Sequence, residues 1–179
     1  MKKDTLYSFL LLPILFGTVH VAAAKDGDIT FIGNVTASTC SISVNGGPAD
    51  TSIDLGTSYV KTFPSAGSMS TPTTFNIGLT NCTPAIAKVG ITFDGVADNH
   101  DSTVFENVIT DETASTGIGV RLYNNGTDTS GISPHGTSAL YPVTDNAVTL
   151  PFTARMTSTA DTVTAGLLQA DTDFTISYQ

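Results

Sequence analysis

Tryptophan is absent from the 179 residues. That excludes the antibody-type core, where a buried Trp packs against the inter-sheet cysteines, but leaves other immunoglobulin-like sandwiches open. Basic residues are scarce, with seven Lys and Arg against sixteen Asp and Glu. Neither nucleic acid nor an anionic lipid surface is therefore an expected partner, since both need clustered cations. The apolar run Leu6–Phe16 is interrupted by Pro13 and falls short of the roughly 20 apolar residues a spanning helix needs, so no membrane insertion is expected. Cysteine occurs twice and histidine three times.

What is present begins with an export signal. Lys2 and Lys3 precede the apolar run, and Ala22, Ala23 and Ala24 supply small residues for cleavage, so residues 1–24 read as a secretory signal peptide. Its removal takes away two basic residues and one acidic residue, leaving five and fifteen and a formal charge of −10. The remainder is one domain's worth of chain, large enough for a real core. In an oxidising compartment, Cys40 and Cys82 predict a disulfide. The alternatives are two free thiols or half a metal site, but no Cys or His stands at ligand spacing from either. A closed loop of about forty residues stabilises a fold by ~4 kcal/mol on the chain-entropy model.

Strand follows strand along the mature chain. Phe75, Ile77 and Leu79 alternate with polar or small residues over Thr73 to Cys82, as do Val89, Ile91 and Phe93 over Lys88 to Val96. Ala147 to Thr157 repeats the pattern, with Leu150, Phe152 and Ala154 on one side and Arg155 on the other, and Phe174, Ile176 and Tyr178 share one face at the end. Period-two patterning predicts half-buried strands. Shorter strands are expected at 41–44, 52–55, 58–63, 104–110 and 118–123, with a turn at Asn45-Gly46-Gly47-Pro48. Residues 98–101 and 161–173 read as loops, and 128–142 as a surface excursion or irregular edge strand. No amphipathic helix of more than about three turns is expected. The fold class is all-β, a sandwich of two sheets.

Two strands stand out as surplus. From Asp28 to Ala37, Ile29, Phe31, Val35 and Ala37 form an apolar face broken only by Gly33. A glycine there marks the close approach of another backbone or a bulky side chain. Extended, these residues reach about 33 Å, the width of a small domain. The short link to Cys40 leaves too little chain for a hairpin back onto the same domain. The terminal strand, in turn, has no following segment to pair with. The simplest arrangement satisfying both lies between chains, with one leading segment filling the gap beside another's last strand. The alternative is an ordinary first strand of a complete sandwich.

Catalytic and ligand-binding readings are weaker. His100 and His135 lie in polar loops, Ser102 and Ser133 sit in no nucleophile elbow, and Asp98-Asn99-His100-Asp101 lacks the spacing of a calcium loop. Asp111 and Glu112 are adjacent, so in a strand they would point apart. No catalytic residue, metal ligand or cofactor site is expected. Asn34, Asn81 and Asn125 head chance matches to the glycosylation pattern.

Several stretches together resemble a structural subunit of chaperone–usher fimbriae, specifically the major subunits of type 1-like pili. They are Gly27 to Val35 with Cys40 downstream, Phe75-Asn76-Ile77 with Asn81-Cys82, Leu150 to Arg155, and Asp173 to Gln179 with its penultimate Tyr178. They span the whole mature chain. The resemblance implies an incomplete immunoglobulin-like sandwich lacking its last strand, over residues 38–179, preceded by a donor-strand extension at 25–37. It implies that a periplasmic chaperone lends a strand, and that an outer-membrane usher exchanges it for the leading segment of the next subunit. On this chain Phe31 would dock first, Gly33 would sit where the groove is shallow, and Val35 and Ala37 would follow. Phe174, Ile176 and Tyr178 would line the groove and meet the chaperone, and the cysteines would join the first two strands. The product would be an extracellular fimbria, a homopolymer of pilin subunits supporting adhesion. A minor adaptor or a tip-associated sugar-binding adhesin is the alternative, although a tip adhesin carries an additional receptor domain, and without Trp the commonest sugar-stacking platform is missing.

Overall fold

The computed structural model describes residues 40–124 and 131–179. Its nine strands are β1 (Ser41–Val44), β2 (Thr73–Thr80), β3 (Lys88–Asp94), β4 (Ile118–Asn124), β5 (Gly131–Ile132), β6 (Gly136–Thr137), β7 (Tyr141–Pro142), β8 (Val148–Ser158) and β9 (Asp173–Tyr178). One sheet runs β1-β2-β8-β4-β5. In the other, β3 is central: Val89 pairs with Tyr141 of β7 and with Tyr178 of β9, so β6 and β7 flank β3 on one side and β9 on the other. Every strand pairing is antiparallel.

The period-two faces meet between the sheets. Phe75, Ile77 and Leu79 of β2, Val89, Ile91 and Phe93 of β3, and Leu150, Phe152 and Ala154 of β8 are buried in one core. Phe152 sits at its centre, its ring 5.5 Å from Phe75 and in edge-on contact with Phe93 at 5.1 Å. Such offset and edge-to-face pairs add about 0.5–1.5 kcal/mol beyond area burial. The Cys40–Cys82 disulfide, with Cα atoms 4.2 Å apart, ties the start of β1 to the end of β2.

One side of the sandwich is closed by the chain itself. β5 belongs to the first sheet and β6 to the second, and the corner between them is held by the His135 amide donating to the Phe93 carbonyl at 2.8 Å. Phe105 adds a second stitch, bridging Val120 of β4 and Ala97 just beyond β3. Gly119 lies so close to the Phe105 carbonyl and the Val104 side chain that a Cβ there would collide with both. On the opposite side β1 and β9 are the edges, and among the described residues no ladder joins them.

Two expectations are corrected. Residues 52–55 and 58–63 form no strands: Asp54 accepts from the Gly56 amide at 2.8 Å in a local turn, and Val60–Thr62 is a single 3-10 turn. A side chain bonding its own backbone offers the chain an alternative to a ladder. Residues 104–110 form no strand either, because only Phe105 makes strand bridges there, while Asn107 and Val108 bond to the loop near residue 169. The irregular edge strand expected within 128–142 is present: residues 131–142 hold three two-residue strands, of which β6 and β7 pair with β3.

Candidate functional site

The open side is a cleft of about 1330 Å³ that reaches down between the sheets. Its floor includes Phe75, Ile77, Val120 and Ala154 of the first sheet and Phe93 of the second. Residues 49–60 form one rim, and Val163–Asp171, leading into β9, form the other. Four of the large apolar side chains left exposed line this one cleft: Tyr59 at 70%, Leu167 at 59%, Val60 at 44% and Ile42 at 39%. Single exposed apolar residues are ordinary, but a contiguous group marks a surface made for a partner.

β9 carries the three terminal residues singled out above. Phe174 lines the cleft, whereas Ile176 and Tyr178 are half-buried and pack against the core opposite Ile91 and Val89 of β3. In an antiparallel pair alternate residues send their N–H and C=O groups away from the partner strand. Among the described residues no strand takes the outer edge of β9. That edge and the apolar floor beside it can pair with one added strand through backbone bonds and alternate side chains. Ile29, Phe31, Gly33, Val35 and Ala37, with the signal segment, lie outside the described residues.

Polar groups elsewhere have local partners. Asp98 accepts from the amides of His100 and Asp101 at 2.8 and 3.3 Å, which makes 98–101 a turn. Asp111 accepts from the Thr113 hydroxyl and amide, and these bonds hold its carboxyl below the ordinary range. His135 meets Asp94 at 3.0 Å, with both side chains largely in solvent. Among the described residues no three His, Cys, Asp or Glu side chains are grouped to hold a metal, and no helix is long and apolar enough to cross a membrane.

Two parts of the cleft are not apparent from periodicity. The rim at 49–60 carries Ile53, Leu55 and Tyr59 without regular alternation, and the rim at 163–171 falls where a loop is expected. The available signal was the cluster of Val163, Leu167 and Leu168 inside that otherwise polar loop.

The fimbrial protein family model matches residues 29–179. The S-fimbrial protein subunit SfaG of Escherichia coli O6:K15:H31 is 32% identical over 99% of this chain and 97% of its own length. The probable major fimbrial subunit LpfA of Escherichia coli O157:H7 is 30% identical, with the same coverage of both chains. Among solved structures, a chaperone–usher pilus studied for rod uncoiling superposes with a TM-score of 0.63 at 26% identity, covering 90% of this chain and all of that one. With a sandwich open along one side and a family match extending through β9 and upstream of Cys40, the chain belongs to the fimbrial protein family, as a structural subunit of an extracellular chaperone–usher fimbria.

Proposed function

We propose that the cleft between β1 and β9 is an acceptor groove, and that residues 28–37 of a second copy of this chain fill it, so that subunits polymerise head to tail by donor-strand exchange. The observation carrying this reading is the apolar cleft beside a strand edge that no strand among the described residues takes. Ile29, Phe31 and Val35 supply a matching apolar face. Burying them at ~1.5–3 kcal/mol each contributes about 5–9 kcal/mol before any backbone bonds form. The added strand also covers an edge that would otherwise invite aggregation.

The same groove takes a chaperone's strand in the periplasm, with Phe174, Ile176 and Tyr178 as its contact, and an outer-membrane usher catalyses the swap. Residues 1–24 are the signal removed on export, 25–37 the donor extension and 38–179 the pilin domain. The subunit builds the rod and supports adhesion by forming the fibre. It is not an enzyme. Phe31→Asp and Gly33→Leu each test the donor assignment: the variant subunit is expected to fold on its chaperone and fail to join a fibre. Normal fibres from both, seen by electron microscopy, would overturn the reading.

A further inference from the structure

One rim of the cleft, Val163–Asp171, belongs to no sheet, yet it is held in place along its length. The Leu167 amide donates to the Thr113 carbonyl at 2.7 Å, and the Leu167 carbonyl accepts from the Ser115 amide at 2.9 Å. The Ser115 hydroxyl donates to the Thr164 carbonyl at 2.6 Å. Gly166 runs so close to the backbone of Ala114 and Ser115 that a Cβ would not fit. The rim therefore rests on residues 107–116 and takes its position from them.

Asn107 is the residue that joins these pieces. Its Nδ2 donates to the carbonyls of Ser115 and Leu167, both at 2.8 Å. Its Oδ1 accepts from the amides of Ile109 at 3.2 Å and Gln169 at 3.0 Å. Two donors and two lone pairs are the whole capacity of a carboxamide, and all four are used on backbone. Two of the bonds fall on the rim, at Leu167 and Gln169, and the exposed Leu167 side chain lines the cleft.

We infer that Asn107 is a positioning residue for strand insertion: by fixing the Leu167 rim it sets how fast a complementing strand enters and leaves the groove. This rests on the acceptor-groove reading proposed above. A strand entering or leaving the cleft has to pass this rim, whose local opening is limited by the bonds that hold it. Loosening its attachment raises the rate of passage while leaving the sheets behind it intact.

The test uses sheared fibres of the mature full-length chain, challenged with a labelled peptide of residues 25–39 that can occupy the vacant groove at fibre ends. Asn107→Asp keeps the shape but sets an oxygen against the Ser115 and Leu167 carbonyls. The expected result at neutral pH is peptide uptake and amide exchange at Leu167 and Gln169 faster by about tenfold, with the amides of Ile77 and Leu150 unchanged. Well below about pH 4 the new carboxyl is protonated and its single O–H can donate to one of the two carbonyls, so the rates return part of the way toward those of the unmodified fibre at the same pH. Asn107→Ser, which puts one hydroxyl on a shorter side chain in place of the carboxamide, falls between and serves if the Asp variant does not fold. Equal uptake by variant and unmodified fibres overturns the role of Asn107 alone. A peptide taken up by no fibre, the unmodified one included, overturns the groove assignment beneath it.

Discussion

Burial alone would raise the Asp101 carboxyl, and it is the largest influence on that group. The Thr103 hydroxyl at 2.6 Å and amide at 2.9 Å, with the charge of Arg121, together outweigh it and hold the carboxyl below its ordinary value. A depressed carboxyl contributes stability that is fully present above its unfolded value of about 4 and is lost as pH falls through the folded value. Asp101→Asn is therefore expected to flatten the acid limb of the stability curve, read as the urea midpoint between pH 6 and pH 3. The change is modest, because the group is only partly buried and its charge is screened by solvent. An acid limb of unaltered slope would mean that the Thr103 bonds do not survive in solution. Neither Thr103 nor Arg121 is visible as a partner from periodicity. The first is an i+2 contact within a loop, and the second comes from a strand twenty residues on.

Among elements, those with one buried face were legible. β2, β3, β8 and β9 fall within two residues of the expected ends, because a strand slipped by one residue would turn every apolar side chain outward. The rims of the cleft were not. Residues 49–60 and 163–171 are shaped by side chains bonding to backbone and by contacts such as Asn107 with Leu167, sixty residues apart, which leave no period to read. The expected pairing of Cys40 with Cys82 is present, joining β1 to β2. Because β1 is only four residues long and pairs on one side with β2, it depends on that bond. Replacing both cysteines by serine is expected to cost about 2–5 kcal/mol in chemical unfolding. A loss below 1 kcal/mol would mean that the β1 ladder holds without it.

At the scale of the whole molecule, a sandwich closed on the β5–β6 side and open on the β1–β9 side is an asymmetric unit. Contacts between unlike surfaces do not close on themselves unless the rotation returns, so they generate filaments. On the proposed donor-strand reading, a mature chain lacking residues 28–37 can still receive a strand but offers none. Mixed with complete subunits during assembly, it is expected to shorten fibres in proportion to its share, measured as the length distribution in electron micrographs. Lengths that do not change would count against head-to-tail growth. In the head-to-tail filament proposed above, the sulfur bridge would also decide how a subunit meets a pull. Force arriving through the residues ahead of Cys40 crosses directly to Cys82 at the end of β2, a strand flanked by both β1 and β8. The load is therefore shared into the interior of the sheet instead of peeling away its short outer strand, and each link can be tugged without coming undone from its edge.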